Sequence, residues 1–222
     1  MSGIILPAAV VFDMDGVIFD TENLRLGFMC ALAGKYGLDR IEELYDSITG
    51  TTEAETERRY YAFYGPRLPY AAIREEARIM EENYVAAYGP PLKPGVRELM
   101  AYLGEQNIPV GLASSGDLSN IRFLMERAGL VECFQAIVSG DMIKNSKPAP
   151  DIYLAACKAL GVEPPLAYAV EDAYHGIEAA YRAGMMPVMV PDRLPPTEET
   201  RRRCAMTCES LAEFKKALEA TK

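Results

Sequence analysis

The chain has 222 residues, half of them hydrophobic and a quarter charged, so it holds enough apolar side chains to bury a core. Its net charge of -9 argues against a nucleic-acid surface, which needs a basic stripe. No apolar stretch reaches the roughly 20 residues that span a bilayer, and no basic segment precedes the first one, so neither a membrane span nor a signal peptide is expected.

Residues 8–12 (Ala8-Ala9-Val10-Val11-Phe12) form a short continuous apolar run, the pattern of a buried parallel strand. Further runs follow at 108–113, 136–138, 166–170 and 187–190. Helical periodicity fills the gaps at 96–104, 118–128, 151–160 and 177–183, and Gly129, Gly161 and Gly184 stand where left-handed caps would end three of these helices. This alternation predicts an α/β fold: a three-layer, Rossmann-like parallel sheet with helices on both faces. Residues 21–91 break the rhythm. They lack strand runs, are helical in pattern (71–88 most clearly), and close with Gly89-Pro90-Pro91 and Lys93-Pro94-Gly95. We therefore expect a catalytic core at 1–20 and 92–222 carrying an inserted α-helical cap at 21–91.

Chemistry concentrates at strand ends. Asp13 and Asp15 follow directly on the first strand, in Val11-Phe12-Asp13-Met14-Asp15-Gly16-Val17. In an open α/β sheet ligands gather beyond the carboxyl ends of strands, so both carboxylates can turn into one crevice. A calcium loop beginning at Asp13 does not fit, because Ile18 and Leu24 stand where Gly and Glu are needed. Ser114 and Ser115 follow the second strand and lead into a helix, where a hydroxyl and free N–H groups suit a phosphoryl oxygen, although such residues also cap helices. A serine-hydrolase elbow is excluded by Leu112 and Ala113. Lys147 lies in the proline-rich turn Lys147-Pro148-Ala149-Pro150, and Glu171-Asp172 closes the fourth strand. An acidic pair there, facing a third carboxylate, suits magnesium. The single histidine, His175, makes a zinc site improbable and reads as a surface residue at a helix start; the five cysteines form no CxxC pair and read as reduced.

These motifs, in this order, resemble those of the haloacid-dehalogenase superfamily: Asp13-Met14-Asp15-Gly16-Val17 its first, Ala113-Ser114-Ser115 its second, Lys147-Pro148 its third and Glu171-Asp172 its fourth. The stretch from Val170 through Gly176 to Gly184 is similar to the β-phosphoglucomutase-like phosphatase branch. The resemblance implies a cytoplasmic, monomeric, magnesium-dependent phosphatase of small phosphorylated metabolites, with no nucleic-acid or membrane partner. In it Asp13 is the nucleophile, Asp15 the acid/base, and Ser114 and Lys147 hold the phosphoryl group. The metal is held by Asp13, Asp15 through its carbonyl, and Asp172, with Glu171 a ligand or an outer partner.

The resemblance makes an acid at position 15 an argument for phosphate esters or anhydrides, since dehalogenase and phosphonatase relatives lack it. A β-phosphoglucomutase is the alternative. Such mutases carry a cap His where this chain has Arg25, and a Lys-Gly-x-Ser-Arg stretch where it has Thr49-Gly50-Thr51-Thr52-Glu53. Substrate recognition is expected from Glu22, Arg25, Thr49, Gly50, Thr51 and Thr52. Arg25 reads equally as a site for a second anion or a solvated charge, and the Gly-Thr-Thr turn as a sugar contact or a helix cap. The tyrosine-rich stretch 60–64 reads as cap packing.

Overall fold

A computed structural model describes residues 6–48 and 53–221. By its internal contacts the chain divides into two compact units, Met1–Phe19 with Leu92–Lys222, and Asp20–Pro91.

The first unit is built on a six-stranded, all-parallel sheet: β1 (Ala9–Phe12), β2 (Val110–Ser114), β3 (Ala136–Ser139), β4 (Ala167–Glu171), β5 (Met186–Met189) and β6 (Met206–Thr207), in the order β3-β2-β1-β4-β5-β6. Strands β1, β2 and β4 are buried along their whole length, which is why they read as unbroken apolar runs rather than as alternating ones. Helices α5 (Val96–Glu105), α6 (Leu118–Ala128), α7 (Asp151–Leu160) and α8 (Tyr174–Arg182) connect them. Val11, Ala113, Ala167 and Ala169 meet Ile152, Tyr153 and Ala156 of α7 and Ala179 and Ala180 of α8 on one face. On the other, Phe12 packs edge-on against Phe134, and Tyr168 against Phe214. Gly129 and Gly161 end α6 and α7 in the left-handed conformation, and Gly184 follows α8 with positive φ.

Two expected boundaries shift by more than one residue. The second strand begins at Val110, after a turn in which Asn107 takes a positive φ, and α8 starts at Tyr174, three residues ahead of Ile177. Beyond the fifth expected strand the structure adds α9 (Glu198–Arg203), the two-residue β6, and α10 (Leu211–Glu219).

The second unit is helical: α1 (Thr21–Tyr36), α2 (Ile41–Ile48), α3 (Glu53–Tyr64) and α4 (Tyr70–Tyr88). Its own core gathers Met29, Leu32, Leu44, Tyr60, Tyr70 and Ile73. The Tyr60 and Tyr70 rings meet at a tilt with centroids 5.0 Å apart and Tyr60 is buried, so the tyrosine-rich stretch packs this core. Among the described residues no helix is long and apolar enough to cross a membrane.

Candidate active site

The strand order reverses between β1 and β4, since the chain adds β2 and β3 on one side of β1 and then crosses to the other. The crevice outside the carboxyl ends of strands at such a reversal is where open α/β sheets bind ligands. Asp13 is the first residue beyond β1, Glu171 the last of β4, and Asp172 the next. Phe12 pairs with Val170, and the Asp13 N–H donates to the Val170 carbonyl at 2.9 Å, so the ladder itself brings the acids of two strands level.

Asp13, Glu171 and Asp172 are all buried, and each offers a carboxylate oxygen within 4.8 Å of the others. The backbone past Asp13 turns sharply: the N–H groups of Ile18 and Phe19 donate to the Met14 carbonyl, and Gly16 closes the loop by donating to Phe19. Gly16 has φ +77°, and a Cβ on it would overlap the Asp172 carboxylate, so glycine is required both for the turn and for the acid to reach its place. Asp15 in this loop is half-buried, and its carboxylate lies outside the triad.

One cation reaches the triad from 134 residues away in sequence. Lys147 Nζ donates to Asp13 Oδ1 at 2.5 Å, to Glu171 Oε1 at 2.6 Å and to the Ala113 carbonyl at 3.1 Å, which uses all three of its protons. It leaves a turn in which the Lys147–Pro148 peptide is cis and the Ala149 N–H donates to Ser146 O. Burial alone would lower its pKa, but the Asp13 and Glu171 carboxylates outweigh that and hold it above the ordinary lysine value.

Three carboxylates against one ammonium leave an excess of negative charge in a dry place. Burial pushes the Asp13 carboxyl up to about 8, against the pull of Lys147 and with the push of Glu171 and Asp15. Asp172 is likewise raised well above the carboxylate range, by burial first and then by Asp13, Glu171 and Asp192. A cluster that cannot stay ionised on its own, made only of hard oxygen donors, fits a hard divalent cation such as magnesium.

Ser114 ends β2 and is buried; its Oγ accepts from the Gly116 N–H at 3.2 Å, which leaves its own proton to donate. The Ser115 side chain is exposed. Asp117 caps α6, accepting from the Asn120 N–H. His175 is exposed in the first turn of α8, as its sequence context suggested. In the helical unit, Glu22 and Arg25 are neighbours on α1: Arg25 Nε donates to Glu81 at 3.1 Å, its Nη1 to Glu22 at 3.3 Å, and Tyr45 Oη to Glu22 at 3.1 Å. Two carboxylates thus balance Arg25 within its own unit. Thr49, Gly50, Thr51 and Thr52 lie outside the described residues.

Sequence reasoning missed two groups beside the triad. Tyr153, fully buried on α7, donates its hydroxyl to Glu171 Oε1. Asp192, just past β5, pairs with Lys93 at 2.7 Å. Tyr153 hides within the apolar face of its helix. Asp192 could have been found as another acid just beyond the carboxyl end of a strand.

The sheet and its acid cluster define a doubly wound α/β protein with a buried acidic cluster, bridged by one lysine, at the β1/β4 reversal. Residues 7–184 match the family model for haloacid dehalogenase-like hydrolases. The chain is 33% identical, over 80% of its length and 82% of the relative's, to the phosphorylated carbohydrates phosphatase of Thermotoga maritima. It is 31% identical, over 82% of each, to the β-phosphoglucomutase of Bacillus subtilis. Among solved structures, the putative β-phosphoglucomutase from Thermotoga maritima superposes with a TM-score of 0.80 at 27% identity, over 96% of this chain and 99% of that one. This chain belongs to the haloacid dehalogenase-like hydrolases.

Proposed function

We propose that the protein is a magnesium-dependent phosphatase that hydrolyses small phosphate monoesters, sugar phosphates foremost, through a phosphorylated Asp13. The observation that carries this is the Lys147 ammonium bridging Asp13 and Glu171 beside Asp172 at the β1/β4 reversal. Asp13 is the nucleophile: a carboxylate oxygen attacks phosphorus, and hydrolysis becomes two easier steps. Asp15, on the same loop but outside the triad, gives its proton to the departing alkoxide and then takes one from the attacking water. Lys147 and the Ser114 hydroxyl hold phosphoryl oxygens, so that charge stabilisation and positioning do most of the work. Asp13, Asp172 and the Asp15 carbonyl would hold magnesium, with Glu171 beside them; when bound, the ion screens the repulsion between carboxylate and phosphate. The helical unit would act as the cap and carry substrate specificity.

The second reading is a phosphosugar mutase, favoured by the Bacillus subtilis relative. Against it, the one cap cation singled out by sequence, Arg25, is already balanced by Glu22 and Glu81, which suits a neutral polyol better than a second phosphate. Relatives named for phosphorylated carbohydrates and for hexitols support a sugar-phosphate substrate.

The test is inorganic phosphate release from a panel of sugar phosphates, nucleotides and small acid phosphates with magnesium. It runs beside Asp13→Asn and a β-glucose-1-phosphate isomerisation control. Release that vanishes in Asp13→Asn supports the phosphatase. Isomerisation without release would replace it with the mutase.

A further inference from the structure

The site holds a buried hydroxyl that none of the steps above uses. Tyr153 is fully buried, its ring lies 5.1 Å beneath Lys147 Nζ, and its Oη donates to Glu171 Oε1. Lys147 donates to that same oxygen, so both side-chain hydrogen bonds at Glu171 converge on Oε1 and neither reaches Oε2. The backbone of α8 also approaches this carboxylate closely: a Cβ on Gly176, in the first turn of α8, would overlap its Cδ and both oxygens. Glu171 is therefore held by a hydroxyl of α7 and crowded by the backbone of α8.

We propose that Tyr153 is a positioning residue for the cation site. By sharing Oε1 with Lys147 it prevents Glu171 from turning both oxygens onto the ammonium. Oε2 is thereby kept for the divalent ion or its water, and Lys147 stays divided between Glu171 and Asp13. The inference rests on the magnesium-phosphatase reading and assigns a role to a residue outside the acid, lysine and serine set. Outer groups that orient a ligand in this way typically change metal affinity or activity by about 10- to 100-fold when removed.

The test is Tyr153→Phe, which keeps the ring beneath Lys147 and removes only the hydroxyl. Magnesium binding is measured by calorimetry on the metal-free protein, and turnover on the best ester of the panel. Both are repeated in a Glu171→Gln background, with thermal unfolding as the folding control. Tyr153→Phe is expected to weaken magnesium binding and lower kcat by roughly 10-fold each, with KM and the unfolding temperature little changed. In Glu171→Gln the same substitution should add less than about a twofold loss, because Tyr153 acts through that carboxylate. Unchanged magnesium affinity in Tyr153→Phe overturns the proposal. So does an equal loss in both backgrounds, which would mark a merely structural role, or a wild-type protein that binds no magnesium. The calorimetric arm needs no turnover. If no ester is hydrolysed while the Glu171-dependent loss of magnesium affinity persists, the phosphatase reading fails and the role of Tyr153 stands.

Discussion

In the absence of a divalent cation the protein should become less stable as pH rises through neutrality, the reverse of ordinary acid denaturation. In the metal-free fold burial raises Asp13 from 3.8 to about 8 and raises Asp172 in the same direction. A carboxyl whose folded pKa lies above its unfolded one binds its proton more tightly when folded. Its stabilisation is complete below the unfolded value and is lost as pH climbs through the folded one. Surface carboxylates such as Glu55, Glu75 and Asp117 are lowered by their hydrogen-bond donors and work the other way, but they finish titrating at lower pH. The chain has a single histidine, so few other groups titrate between about pH 5.5 and 8. Over that window Asp13 alone contributes about 2.5 pH units at about 1.4 kcal/mol each, on the order of 3 kcal/mol. For a chain of this size that is roughly 6–12 °C of unfolding temperature. On the proposed reading magnesium would bind the ionised carboxylates and remove the loss, so its stabilising shift should grow with pH. Calorimetry or dye-monitored melting of chelator-treated protein across the window, with and without magnesium, reads both. Asp13→Asn, which cannot ionise, should flatten much of the slope. A metal-free unfolding temperature that holds or rises from pH 5.5 to 8 would refute the reasoning, as would a magnesium shift independent of pH.

Other consequences of the geometry are equally direct. Asp15→Asn should cost at least about 100-fold on alkyl esters, whose leaving groups need a proton, and far less on aryl phosphates. Steady-state kinetics on a matched pair of esters checks this, and equal losses would mean a structural role for Asp15. Gly16→Ala forces a side chain into the Asp172 carboxylate at a positive φ; magnesium affinity should fall by about tenfold or more, and the unfolding temperature should drop. Gly176→Ala drives a Cβ onto the buried Glu171 carboxylate, so it should reduce turnover and lower the unfolding temperature.

The sheet was legible because its central strands are buried on both faces and their sequences are apolar without interruption. The same rule hides β6, two half-buried residues at the sheet edge. Helix α10 carries readable signals in its Ser210 cap and in Leu211, Phe214 and Leu218 at helical spacing, but no strand run precedes it to set the alternating rhythm. The acids and Lys147 stood out because charged residues directly after buried strands, or within a proline-fixed turn, have few other reasons to be there. The resemblance already set Lys147 at the phosphoryl group beside Asp13; that it also bridges to Glu171 depends on the fold bringing the ends of β1 and β4 level, which the sequence does not show. Tyr153 is the clearest loss. At its position in α7 a phenol and a phenyl ring satisfy the same apolar pattern, and only the neighbouring carboxylate of β4 makes the hydroxyl matter.

The claim at the centre of the account is that phosphate passes through Asp13. The most direct measurement uses Asp15→Asn with an aryl phosphate, where the first step survives and the second is slowed. After acid quenching, borohydride reduction and peptide mass spectrometry follow. Homoserine is expected at position 13, the reduction product of an acyl phosphate, formed only with substrate and magnesium present. An unmodified Asp13 during turnover, with activity surviving in Asp13→Asn, would contradict it.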